Sequence, residues 1–349
     1  MNGRPRTICW FGIYDPNFGR NRVYLKGLRA AGVSVLECQD SSPGLRKYWR
    51  LWQKHREFKE YDAMVVGYPG HLVVPFARLI ARAPVAADLL GSLADAEEQS
   101  HRPNFLRYIK SVLIDQLAVW CAQVVLLESE AQRQFFIKKF GASKKYRVLY
   151  TGADDTVFWR EGGLIEKSFM VLFRGRLTAE SGIFHILAAA ALLKDEPKIR
   201  FRIIGSGPLL RPVEEYIREQ TLSNVELISQ HLPDDVLSVK MSEASLALGQ
   251  FEDNPRLSRT IPHKAFEAFA MGIPYLSGSA PAIREVVKAN ETGFLVPLAA
   301  PKVLAERIIE LSRDPVLLAQ TGASAKAEFN KRFSPSALGA QLLRMLYEN

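Results

Sequence analysis

The sequence predicts an α/β protein made of two doubly wound, parallel-sheet domains of Rossmann type, facing each other across a cleft. Short apolar runs alternate with helix-period segments along the whole chain, and that alternation starts afresh after a turn-rich stretch at 151–168. The 349 residues, 48% hydrophobic and 24% charged, suffice for two cores. Open α/β sheets of this kind bind ligands at the carboxyl ends of their strands.

In the first half the expected strands are "RTICWFG" (6–12), "VSVLEC" (33–38), "AMVVG" (63–67), "PVAAD" (84–88), "QVVLLE" (123–128) and "YRVLY" (146–150). Helix-period segments at 21–31, 72–82, 104–122 and 130–140 separate them. In the second half the strands are "FMVLFRG" (169–175), "IRFRIIG" (199–205), "NVELIS" (224–229), "ASLALG" (244–249) and "PYLSG" (274–278), with helices such as 182–194 between. The expected domains are 1–155 and 165–332, with a final helical segment, 333–349, returning to the first domain. No internal repeat or low-complexity segment interrupts the pattern.

Charge is unevenly divided. Residues 1–160 hold 24 Lys and Arg against 15 Asp and Glu, whereas residues 161–349 hold 22 against 22, so the net +9 sits in the first half. Cys9, Cys38 and Cys121 are far apart, odd in number and without a C-x-x-C pair, which argues against a disulfide framework or a zinc site and points to reduced thiols in the cytoplasm. The N-terminus carries Arg4 and Arg6, but Asp15 breaks the following apolar run and no cleavage pattern follows, so no signal peptide is read. No apolar stretch approaches the roughly eighteen residues that span a bilayer.

The segment "LRKYWRLWQKHREFKEY" (45–61) concentrates the basic charge, with Arg46, Lys47, Arg50, Lys54, Arg56 and Lys59 against Glu57 and Glu60. Leu45, Tyr48, Trp49 and Trp52 recur at helical spacing beside it. Two readings fit: a helix on an anionic membrane surface, at the inner face, or one that turns its aromatics into the core and leaves a solvated basic face. Nucleic acid is not expected, because no binding motif accompanies the charge.

The stretch "IPHKAFEAFAMGIPYLSG" (261–278) reads as helix, then strand. Pro262 suits the first turn and Gly272 the residue past the end. Ala265, Phe266 and Phe269 make the inward face. Lys264 and Glu267 are placed on the outward side, three positions apart, where an ordinary surface ion pair competes with a ligand-binding role.

Four motifs of the second half, "VLFRGRLTAESGIFHILAAAALL" (171–193), "IIGSGPLL" (203–210), "NVELISQHLPDDVLSVKMSEASLAL" (224–248) and 261–297, resemble in order and spacing the donor domain of family 4 glycosyltransferases of GT-B fold. "YTGADDTVFW" (150–159) is similar to that family's G-x-D-x-x-x-F start of the second domain, and 14–35 to its first glycine loop and helix. The resemblance implies a metal-independent, hexosyltransferase-like enzyme that moves a sugar, with retention, from a nucleotide diphosphate sugar carrying UDP or GDP to a lipid-linked, glycan or small-molecule acceptor, without a cofactor.

Carried over by position, the resemblance gives Glu267 the ribose hydroxyls of the donor, because a carboxylate accepts two donors at once. It gives Arg176 the diphosphate and Gly19 a backbone approach to phosphate. Gly207, in the turn after the 199–205 strand, and Arg259, Thr260, Ile261 and Lys264 complete the expected donor site. Three positions depart from the family: Ser181 stands for the usual lysine of "E-K-G", Arg259 for a first glutamate eight positions before Glu267, and Leu90 for the histidine of "D-x-H-D". Arg259, Lys264 and Arg174 are candidates for the missing positive charge at a leaving phosphate. For the acid or base the sequence offers Asp88, then His71, with Asp95 behind. The departures also leave open a non-catalytic GT-B scaffold binding nucleotide sugar or a membrane partner, and a nucleotide-sugar epimerase.

Overall fold

A computed structural model describes residues 6–98, 104–160 and 168–347. Arg4 and residues 161–167 of the predicted linker lie outside the described residues. The chain divides into two compact units, Met1–Ala153 with Phe333–Asn349, and Asp154–Arg332.

The first unit holds strands β1 (Thr7–Gly12), β2 (Ser34–Gln39), β3 (Ala63–Val66), β4 (Val85–Leu90), β5 (Val124–Leu127) and β6 (Tyr146–Val148) in one parallel sheet of order β2-β1-β3-β4-β5-β6. Helix α1 (Gly19–Ala30) connects β1 to β2 in one direction. Helices α2 (Arg46–Glu57), α3 (Val74–Ile80), α4 (Leu93–Glu98), α5 (Phe105–Cys121) and α6 (Glu130–Phe140) make the crossovers that run the other way. Right-handed crossovers therefore put α1 on one face and α2, α3, α5 and α6 on the opposite face. The two core clusters match this division: Ile8 and Trp10 of β1 pack with α1, while the alternate residues Cys9 and Phe11 pack with Leu51 of α2, Val74 of α3, Val119 of α5 and Phe136 of α6.

One crossover helix does not cover a six-stranded sheet. The vacancy beside α1 is filled by the last helix, α13 (Pro335–Tyr347), whose Leu338 and Leu342 enter the same core. The two helices cross at Gly27 and Gly339, where a Cβ on Gly27 would lie 1.9 Å from the Pro335 carbonyl oxygen. Only glycine permits that approach.

The second unit repeats the plan with β7 (Phe169–Arg174), β8 (Ile199–Ile204), β9 (Val225–Ile228), β10 (Leu246–Leu248), β11 (Tyr275–Gly278) and β12 (Phe294–Val296), ordered β12-β11-β10-β7-β8-β9 and all parallel. Its helices are α7 (Ile183–Leu192), α8 (Leu210–Glu219), α9 (Asp234–Ser242), α10 (His263–Met271), α11 (Pro301–Ser312) and α12 (Pro315–Glu328). The strand order reverses between β7 and β10, which makes the carboxyl ends of those strands this unit's switch point.

Two sequence expectations change. Helix α10 has no outward side at residue 267: its residues from Ala265 to Met271 are all buried. In α2 the core-facing residues are Leu51 and His55, not the aromatic stripe. The stripe itself splits, because Tyr48 packs against Phe76 with ring centroids 5.3 Å apart, Trp52 is half-buried, and Trp49 is exposed. The three cysteines are free, Cys9 and Cys38 buried, and burial pushes the Cys38 thiol up to about 12. Among the described residues no helix is long and apolar enough to cross a membrane.

Candidate active site

At the switch point of the second unit, β7 ends with Arg174 and α10 delivers Glu267 from the far side of the loop after β10. Arg174 Nη1 donates to Glu267 Oε1 at 2.6 Å. Of the two readings of Lys264 and Glu267, the surface ion pair fails, and the outward placement of Glu267 is corrected: the carboxylate is 5% exposed and its hydrogen-bond partner is an arginine 93 positions away. Its second oxygen, Oε2, is buried without a hydrogen-bond partner among the described residues. A buried carboxylate oxygen left unmatched costs free energy unless a ligand donor completes it.

Lys264 belongs to the same cluster through a different contact. Its Nζ lies 3.7 Å from the centroid of the Phe173 ring and packs against Gly175. Burial drives its pKa down, Glu267 opposes that and Arg174 reinforces it, and the amine ends at about 7. Beneath Arg174 lies the ring of Phe158, 5.9 Å from the guanidinium carbon, from the expected G-x-D-x-x-x-F segment. Asp154 of that segment accepts from the Thr156 backbone N–H and hydroxyl at 3.1 and 2.8 Å, which fixes the turn that presents Phe158.

Beside this cluster is a cavity of about 550 Å³ at the ends of β7, β8 and β9, lined by Arg174, Arg176, Ser206, Gln230 and His231 among others. Arg176 is exposed there. The cavity floor exists because two chain ends nearly touch: a Cβ on Gly205 would fall 1.8 Å from the Gly175 carbonyl oxygen. Gly207 sits against Leu177, one residue beyond Arg176. In the loop before α10, Thr260 Oγ1 donates to the Arg256 carbonyl at 3.1 Å, the Arg259 N–H to the same carbonyl at 3.0 Å, and Ile261 is buried. Ser181, in place of the usual lysine, turns inward and donates to the Thr178 carbonyl. It supplies no charge.

In the first unit, Gly19 is the first residue of α1, where helix N–H groups lack intrahelical partners. Asn21 donates to the carbonyls of Asp15 and Tyr68, at 2.9 and 2.7 Å, and so ties the glycine loop to the end of β3. Asp88 is fully buried, and both its oxygens accept from Arg20 Nε at 3.0 and 2.8 Å. The same guanidinium donates through Nη1 to the Leu149 carbonyl and Thr151. Such a carboxylate is the counter-ion of a sealed arginine. Nothing in the sequence pairs Arg20 with Asp88, since the two are 68 positions apart.

His71, just before α3, is buried, and its Nε2 lies 2.9 Å from the Gly91 carbonyl and 3.7 Å from Asp115 Oδ1. Burial lowers its pKa against the pull of Asp115, which keeps the ring neutral near pH 7 with Nε2–H donating to Gly91. Nδ1 then carries a lone pair with no partner among the described residues. Asp115, which the sequence reading missed, accepts from Ser92, Leu93 and Ala94 and caps α4. Asp95, in the first turn of α4, is buried. Leu90 has a left-handed backbone, φ 58°, where the β4–β5 register shifts. A leucine held there marks local strain in this loop.

Residues 155–328 match the family of group 1 glycosyl transferases. The match takes in nearly the whole of the second unit. The chain is similar to an exopolysaccharide phosphotransferase of Streptomyces coelicolor, 29% identical over 73% of this chain and 26% of that protein. It is also similar to the alpha-D-kanosaminyltransferase of Streptomyces kanamyceticus, 24% identical over 70% and 68%. It spans about half or less of the length of several curated relatives that it matches. Among solved structures, Anabaena HepE in complex with UDP-glucose superposes with a TM-score of 0.77 at 18% identity, covering 98% of this chain and 100% of that one. The fold is GT-B, two parallel six-stranded sheets with flanking helices.

Proposed function

We propose that the protein is a glycosyltransferase that takes a sugar from a nucleotide diphosphate, with retention, and that the second unit holds the donor. The observation that carries this reading is Glu267: a buried carboxylate at the switch point with one oxygen fixed by Arg174 and the other unmatched. That oxygen accepts a ribose hydroxyl of the donor. The adjoining cavity takes the base, Arg176 at its rim takes the diphosphate, and the group 1 family supports both assignments. UDP is the favoured nucleotide, because the HepE structure, alike in fold, binds UDP-glucose. In the second unit Arg259 and Lys264 replace the charge missing at Ser181, and in the first the helix start at Gly19 offers backbone N–H groups suited to an anion.

For proton handling His71 is preferred to Asp88, since its Nδ1 keeps a lone pair while both oxygens of Asp88 are occupied by Arg20. The acceptor is a glycan, a lipid-linked sugar or a small molecule. The basic helix α2, with exposed Trp49 at its outer side, supports a peripheral position on an anionic membrane at the cytoplasmic face.

A panel of nucleotide sugars, with nucleotide release and sugar identity as readouts, tests the activity. Slow release from one donor, accelerated by an acceptor, is expected. Sugar interconversion would make it an epimerase, and binding without turnover a scaffold, the reading that the Ser181, Arg259 and Leu90 departures favour.

A further inference from the structure

The exposed apolar surface of the first unit is one-sided. Its exposed large apolar side chains lie on the layer of α2, α3 and α5, and among the described residues none lies on α1 or α13. The concentration is greatest on α5, where Phe105, Leu106, Ile109, Leu113, Leu117 and Trp120 are all exposed, Leu113 by 64% and Trp120 by 75%. At 100° per residue these six fall on one stripe, opposite the inward Asp115, Ala118 and Val119. A helix of this length is about 25 Å long, so the stripe is far larger than the scattered apolar residues of an ordinary surface.

Its surroundings say what covers it. Arg107 and Lys110 stand at the start of α5. On one side α6 brings Lys139, whose Nζ lies 5.5 Å from the Tyr108 ring of α5. On the other side α3 carries exposed Arg78 beside exposed Leu79, and beyond it lies α2, which touches α3 through Tyr48 and Phe76. In α2, Arg50 approaches Ser42 and Asp40, and Lys54 donates to the Gln39 carbonyl, whereas Arg46 is exposed beside Leu45 and Trp49. The acidic corner of the layer is Glu97 and Glu98 of α4. An apolar stripe with tryptophan, rimmed mainly by lysine and arginine, complements a surface that is apolar below and anionic above. A second copy would bring like charges together around the stripe.

We propose that the first unit docks on an anionic lipid surface through the outer face of α5, with α2 as an electrostatic rim rather than the inserted element. This rests on the reading that the protein works at a membrane, but it assigns the insertion to a different helix.

The test uses the full chain and flotation with vesicles of phosphatidylcholine, alone or mixed equally with phosphatidylglycerol. The wild type is expected to bind the mixed vesicles and to resist release by salt in part. A Leu113→Ser/Trp120→Ser variant, altered only at exposed positions and so unchanged in melting temperature, is expected to lose binding by about tenfold or more. An Arg46→Ser/Lys47→Ser variant is expected to bind more weakly and with less dependence on salt. Wild-type binding by the α5 variant overturns the proposal and leaves α2 as the docking element. Absence of vesicle binding by the wild type removes the membrane reading as a whole. Self-association that the α5 variant abolishes, without vesicle binding, would instead make the face an interface between copies.

Discussion

The two units place a buried carboxylate and an arginine near the carboxyl ends of their sheets, and treat them in opposite ways. In the first, Asp88 is fully enclosed, both oxygens accept from Arg20, and the guanidinium is further held by Leu149 and Thr151. In the second, Arg174 is about one-third exposed and engages only one oxygen of Glu267. Arg20 Nη2 is left without a partner among the described residues, but the carboxylate itself has no oxygen to spare. A buried carboxylate with both oxygens engaged belongs to the scaffold, whereas one with a free oxygen at a switch point has capacity left for a ligand. The comparison also separates two kinds of aspartate and glutamate that look alike in the sequence.

The largest expected effect falls on the enclosed pair of Arg20 and Asp88. Asp88→Ala leaves Arg20 buried and uncompensated, and should cost the first unit about 3–5 kcal/mol in denaturant unfolding. A loss below about 1 kcal/mol would mean that water or another group satisfies Arg20, and the contrast between the units would fail.

Next comes Lys264. Its pKa is about 7 in the fold against 10.5 for an ordinary lysine, so the folded state pays for the buried charge below pH 7 and the penalty fades as pH rises from about 7 to about 10.5. Lys264→Met should therefore stabilise the protein below pH 7, with the gain disappearing toward alkaline pH in thermal melts. If the diphosphate binds close by, it draws the pKa of Lys264 up, and UDP binding should take up a proton near pH 8. Titration calorimetry in buffers of different ionisation enthalpy measures that uptake. A gain independent of pH would show that the amine is well solvated.

Smaller again is Arg176→Ala, expected to weaken UDP by about 1.5–3 kcal/mol and uridine by little, as for loss of a hydrogen bond to a charged group. Equal loss for both ligands would move Arg176 away from the phosphates.

Most strands were legible because parallel strands covered on both faces read as continuous apolar runs, down to the three-residue β6 and β10, while Phe294–Val296 was not among the expected strands. The direction of Glu267 was misjudged for a related reason. Helix α10 is buried on every side, and its small residues Ala265, Ala268 and Ala270 show no periodicity that separates a wet side from a dry one. Arg174 ends an apolar strand, which flags an arginine with a task, but its partner is set by the order of β7 and β10 and not by spacing. The same holds for Arg20 with Asp88 and for Asp115 with α4, since such pairs form only when crossovers bring distant strand ends together. The aromatic stripe of 45–61 and the longer apolar stripe of α5 lie in the same layer of the first unit, and the helix-period pattern of 104–122 does not say which of its apolar residues stay exposed.

The most direct test of the account is the affinity of Glu267→Gln for UDP, read beside its unfolding free energy. The substitution keeps the size of the side chain and removes the charge that Arg174 and the ribose share, so binding should weaken by about 1–3 kcal/mol while stability changes by less than about 1 kcal/mol. Unchanged affinity with a large loss of stability would make Glu267 a structural partner of Arg174, and would contradict the assignment of the donor to this site.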